Sequence, residues 1–170
     1  MKTVIVQDTK EKAGKKDHIL SVFERYGIKV IRHGLYVGDW TLLNDMSTCI
    51  DTKTGGMQEV YSNLVQDHVR FRNECKRAAE AGISLIILVE EKGVKSIEDV
   101  PDWVNPRAIV YQRKQAAGEQ VPKAPPISSK RLYNIMRTMA ESYGCRWEFT
   151  DKEHTGERIL EMLGVNAYGN

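Results

Sequence analysis

Val37–Lys53, VGDWTLLNDMSTCIDTK, is the stretch on which the rest of the chain turns. It reads as a hairpin, Asp39–Asn44 and Thr48–Lys53, around the polar turn Asn44-Asp45-Met46-Ser47. Side chains alternate across a strand, so Cys49, Asp51 and Lys53 share one face and Ile50 and Thr52 the other. On the first strand Asp39, Thr41 and Leu43 alternate with Trp40 and Leu42. A loop of residues 45–47 pairs Asn44 with Thr48 and sets Asp39 opposite Lys53, diagonal to Asp51. An even loop would turn Asp39 away. Two converging carboxylates suit a hard divalent cation such as Mg²⁺. A neighbouring ammonium can orient a water and offset phosphate charge. The same residues also describe an ordinary turn at Gly38-Asp39 and a solvated strand face at Asp51 and Lys53.

The bulk of the sequence narrows the choice. The 170 residues suit one domain with a sizeable core. Hydrophobic residues at 41% and charged residues at 28% describe a globular protein. The apolar run Ile83–Val89 is too short for a membrane span or a signal peptide. Cys49, Cys75 and Cys145 are isolated and lack CxxC spacing, which points to reduced, buried thiols and a cytoplasmic location. Residues 107–137 carry seven basic side chains (Arg107, Arg113, Lys114, Lys123, Lys130, Arg131, Arg137) against Glu119 alone. Residues 1–16 carry five lysines against Asp8 and Glu11. Both segments suit a polyanion partner, and each alone is also ordinary surface.

Around the hairpin the chain alternates strand and helix patterns. Thr3–Gln7 is a short buried strand ending at Asp8, where a carboxylate serves equally as a functional group or a cap. The following KEKAGKK has one glycine and no phosphate-binding spacing, so no nucleotide cofactor is expected. Asp17 can cap a helix over 18–26 that stops at Gly27; Ile28–Leu35 is a strand in which His33 could pack and has no partner that would make it a ligand. Thr54-Gly55-Gly56 is a turn where a phosphate could approach the backbone. One long helix, Met57–Ala81, follows. Glu59, Asn63, Gln66, Asp67, Arg70, Glu74 and Arg77 share a face of it, and packing beside the hairpin would bring Glu59 near Asp51. Then come the buried strand Ile83–Val89, an aperiodic stretch in which 114–126 reads as a mobile basic loop, and a helix Ser129–Tyr143 capped by Ser128. The strand Arg146–Thr150 and a helix Gly156–Leu163 capped by Thr155 complete it. The fold class is α/β, with a mixed sheet and helices on both faces.

The order of elements, with VQDTKE, GDW and IDTK, resembles the XPF family of PD-(D/E)XK, restriction-endonuclease-like nucleases. Asp8, Lys10 and Glu11 match the family's Asp-x-Arg-Glu with Lys for Arg; Gly38-Asp39 matches its Gly-Asp. Asp51-Thr52-Lys53 matches its Glu-Arg-Lys, with Asp for Glu and Thr for Arg. The acid that should follow four residues on falls at Met57, with Glu59 the nearest substitute. The resemblance implies a Mg²⁺-dependent DNA endonuclease, with Mn²⁺ able to substitute, acting on branched or flap DNA in repair, recombination or replication. Asp39 and Asp51 would hold the metal, with a backbone carbonyl near Thr52, and Asp8 and Glu59 are further candidates. Lys53 would position the attacking water, and Asp8 would complete the catalytic set. Lys10, Arg70, Arg77, Arg113 and Lys114 are the expected DNA contacts. The resemblance further implies a stand-alone, bacterial or phage-like nuclease domain without a helix-hairpin-helix module, able to form a homodimer. The alternatives are a catalytically inactive DNA-binding partner and a small-ligand-binding α/β domain.

Overall fold

The computed structural model describes residues 3–10 and 14–165. Six strands form one sheet: β1 Val4–Gln7, β2 Lys29–Arg32, β3 Trp40–Leu42, β4 Thr48–Lys53, β5 Ser84–Glu90 and β6 Arg146–Thr150, in the order β2-β1-β3-β4-β5-β6. Only β3 runs against its neighbours, so the sheet is mixed. That reversal brings the end of β1, the start of β3 and the end of β4 to one edge. Asp8, Asp39 and Asp51–Lys53 therefore meet at the carboxyl ends of the parallel strands, where ligands bind in such sheets.

Helices cover both faces. α1 Asp17–Arg25 and α6 Thr155–Met162 pack over Trp40, Ile50, Ile86 and Leu88. α2 Gly56–Tyr61, α3 His68–Glu80 and α5 Ser129–Tyr143 pack over Cys49, Ile87 and Val89. The alternation of β4 and β5 thus feeds two cores, one per face. The three cysteines are free and buried, as expected. Among the described residues no helix is long and apolar enough to cross a membrane.

Several expectations change. The hairpin loop is odd, as expected, but Trp40 faces Ile50, two residues short of the expected register. The connection is 43–47, and Asp39 lies by Asp51 and Thr52 rather than opposite Lys53. The expected single helix over 57–81 is broken by a π-helical segment, Ser62–Gln66, and by Asp67. The stretch expected to be aperiodic holds α4, Pro106–Ala116, so Lys114 is helical; Asn105 caps it through the Arg107 N–H at 3.0 Å. None of α4's side chains is buried, so no apolar stripe marked it. Asp17 lies inside α1 rather than capping it, and His33 is exposed. His154 takes the cap position of α6, because the Thr155 hydroxyl donates to Glu90 and to the Asp151 carbonyl instead. Ser128 caps α5 as expected.

Candidate active site

Two buried acid–lysine pairs form the floor of a cleft at this sheet edge. Gly38 adopts φ +71°, which lets the chain turn into β3, and its N–H donates to Glu74 at 3.0 Å. The next residue, Asp39, accepts from the Thr52 N–H and the Thr52 hydroxyl, each at 2.7 Å on Oδ2. The Trp40 indole N–H donates to that hydroxyl at 3.3 Å. Thr52, where the resemblance has arginine, therefore holds the carboxylate in place.

Lys16 completes this first pair. Its Nζ lies 2.5 Å from Asp39 Oδ2, and the residue is only 3% exposed. Burial works against ionising Asp39, but the Lys16 charge and the hydrogen bonds from Lys16 and Thr52 outweigh it and hold the carboxyl below its ordinary value. In the sequence Lys16 is one of five lysines in a basic segment, and nothing local separates it from the others.

Asp51 and Lys53 form the second pair on the opposite face of β4. Their contact is 2.7 Å, through Asp51 Oδ2, which takes no well-aligned hydrogen bond among the described residues. Burial pushes the Asp51 carboxyl up to about 7; the Lys53 charge pulls it down, and the negative charges of Asp39 and Glu74 raise it further. Burial would lower the Lys53 ammonium, but Asp51, with Asp39 and Glu59, keeps it above its ordinary value. Lys53 Nζ also sits 5.3 Å from the Phe71 ring centre, which fixes it toward α3.

The cleft has a volume of about 420 Å³ and gathers most of the expected residues. Asp8, Lys10, Glu59, Arg70 and Arg77 line it together with both pairs' carboxylates and Lys53. Asp8 Oδ1 accepts the Leu35 N–H at 2.9 Å, and the Asp8 N–H donates to the Asp39 carbonyl at 2.9 Å. Glu59 accepts the Gly55 N–H at 2.9 Å. Glu11 lies outside the described residues. Arg113 and Lys114 are on α4 and outside the cleft lining. Two further cleft residues, Glu74 and Asn63, came from the polar face of the expected helix; the buried Asn63 Oδ1 has no hydrogen-bond partner among the described residues. In the glycine turn the Gly55 N–H is taken up by Glu59, and just beyond it the Met57 N–H donates to Glu91 at 2.8 Å.

Among the described residues no cluster of three or more His, Cys, Asp or Glu stands ready to hold a metal ion. The donor chemistry nonetheless fits one. Asp39 and Asp51 are hard oxygen donors at adjacent strands, and their mutual repulsion in a buried site is the situation a divalent cation relieves. Asn63 Oδ1 adds an orphaned oxygen to the same cleft.

No protein-family model matches the sequence, and no curated protein matches it. Solved structures do. XPF from Aeropyrum pernix is similar over 95% of this chain and 60% of its own, with a TM-score of 0.61 and 22% identity. The chain has an XPF-like fold. The Aeropyrum pernix XPF in complex with DNA is similar over 95% of this chain and 63% of its own, at TM-score 0.59 and 20% identity. The chain thus spans under two thirds of the length of either XPF structure.

Proposed function

We infer that the cleft hydrolyses phosphodiester bonds in DNA with the help of a divalent cation, Mg²⁺ or Mn²⁺. The observation that carries this is the convergence of Asp39, Asp51 and Lys53 in one cleft of an XPF-like fold. Asp39 and Asp51 would hold the cation, with a backbone carbonyl near Thr52. Such a cation, when bound, lowers the pKa of coordinated water and offsets phosphate charge. Lys53 orients the attacking water from its fixed place between Asp51 and Phe71. Thr52 keeps Asp39 aimed into the cleft. Lys10, Arg70 and Arg77, at the cleft, bind the flanking phosphates, and branched or flap DNA is the substrate class the resemblance favours. The DNA complex of the similar Aeropyrum pernix XPF supports DNA as the partner, and a homodimer is part of the same proposal.

The test is cleavage of labelled branched and linear duplexes in Mg²⁺, wild type beside Lys53→Met. Cutting by the wild type alone supports the inference. Tight binding of branched DNA with no cutting by either would overturn it in favour of a non-catalytic DNA-binding partner. One observation favours that second reading: Lys16 already neutralises Asp39. Lys16 competes with a cation for the same oxygen, so Lys16→Met should tighten Mg²⁺ binding by about tenfold, close to 1.4 kcal/mol. Calorimetric titration of Mg²⁺ into both proteins reads this directly; equal affinities would show that Lys16 does not compete.

A further inference from the structure

We propose that the groove between α4 and the proline-rich segment 121–127 takes an unpaired nucleotide of a DNA strand that crosses the cleft. The site rests on the DNA-cleaving role inferred above but lies outside the catalytic residues. Its volume is about 640 Å³. The two walls are built differently. On one side stands α4, a helix with no buried side chain, whose Val110 is 50% exposed. On the other, Pro122, Pro125 and Pro126 give a wall with fixed φ and few N–H groups, tied down by the Ile127 N–H donating to the Tyr61 hydroxyl at 3.2 Å. A wall that is already ordered costs little to bind against.

The lining chemistry selects the occupant. Val65, Val110 and the prolines supply apolar faces, and Tyr111 adds a partly exposed ring. Gln58 and Gln66 bring amides that can donate to and accept from a base edge. Arg107 and Lys114 are cations at the same groove, and no acid among the described residues lines it. Arg107 is held in place, 2.7 Å from the Ser62 hydroxyl and stacked at 5.0 Å on the Tyr61 ring. A flat π-surface carrying a negative charge satisfies all three features. Aromatic rings beside cations are the usual means of holding single-stranded nucleic acid without sequence preference.

The groove is also next to the cleft. α2 and the π-helical segment form a wall common to both: Glu59 and Asn63 line the cleft, while Gln58, Tyr61, Val65 and Gln66 line the groove. A π-helical turn is rare and recurs at functional sites. A strand leaving the cleft therefore passes around a single helix to reach the groove.

The test needs no hydrolysis. Fluorescence anisotropy in EDTA would compare three labelled ligands: oligo(dT) of twelve nucleotides, the same strand with abasic sites, and a twelve-base-pair duplex. Wild-type protein should bind oligo(dT) about tenfold more tightly than the abasic strand, in line with stacking of a base on an aromatic side chain. Tyr111→Ala should remove that difference while changing duplex affinity less than twofold. Equal wild-type binding of the two single strands would overturn the proposal, as would an unchanged preference in Tyr111→Ala. The abasic comparison uses the wild type and does not depend on the variant folding. Base-dependent binding in a protein that cuts nothing would leave the groove standing and remove the nuclease inference; cleavage without base dependence would do the reverse.

Discussion

Asp51→Asn abolishes Mg²⁺-dependent cleavage, with an expected loss on the order of a thousandfold or more, about 4 kcal/mol of transition-state stabilisation. Asparagine keeps the size of the side chain and gives up the charge that would hold the cation. The same substitution acts on stability in the opposite direction. In the folded protein the Asp51 carboxyl sits near 7, well above its ordinary 3.8, chiefly because it is buried. Between about pH 4 and pH 7 the folded state therefore holds a proton that the unfolded chain has released. Stability falls as pH rises through that window, and the penalty is complete above 7. The amide that replaces the carboxyl does not titrate. The melting temperature of Asp51→Asn relative to wild type, in EDTA, should rise by several degrees between pH 4.5 and pH 8. A difference that stays flat with pH would mean that Asp51 is ionised in the folded protein throughout, its pair with Lys53 outweighing burial. Thermal unfolding and single-turnover cleavage on the same samples would separate the two effects.

Gly56→Ala should destabilise the protein by about 3 kcal/mol, from a left-handed backbone cost of about 1–2 kcal/mol and an overlap of comparable size. Gly56 has φ +66°. A Cβ there would lie 2.5 Å from Glu91 Oε2 and 2.6 Å from the Glu90 carbonyl oxygen. The second contact is with backbone at the end of β5, a strand paired on both sides, which cannot swing aside. At this chain length the loss corresponds to a fall in melting temperature of roughly 10 °C, a large part of a typical stability. Differential scanning calorimetry measures it, and Gly55→Ala is the control. At Gly55 φ is negative and an added Cβ meets the flexible Glu59 side chain at 3.0–3.1 Å. Equal melting temperatures for the two variants would show that the turn relaxes. The functional consequence follows from position, since the turn joins Lys53 to the helix that carries Glu59.

The sequence reveals what depends on neighbours in the chain and hides what depends on distant ones. The alternation in 37–53 leads to the right hairpin and the right parity, because face is a local property of a strand. The register is two residues off because it is set by where β3 pairs with β1, through Val6 against Thr41 and Gln7 against Trp40. The polar face at Glu59, Asn63, Arg70, Glu74 and Arg77 is legible and does line the cleft. The π-helical interruption at Ser62–Gln66 has no compositional mark. α4 escapes notice because it buries nothing, and periodicity reports only buried stripes. Lys16 is the most consequential omission. It pairs with a residue 23 positions away, and its chemistry is invisible until α1 is packed against the sheet.

Lys16 also changes how the cleft meets a polyanion. Asp8, Asp39, Asp51, Glu59 and Glu74 carry five formal negative charges, and Lys10, Lys53, Arg70 and Arg77 carry four positive ones. Lys16, reaching Asp39 from beneath, brings the tally to zero. An electroneutral floor does not repel a phosphodiester backbone, so recruitment need not wait for a counter-ion. Under the proposed nuclease role, nucleic acid and cation are therefore expected to bind independently, in either order, which titration of each in the presence and absence of the other would read.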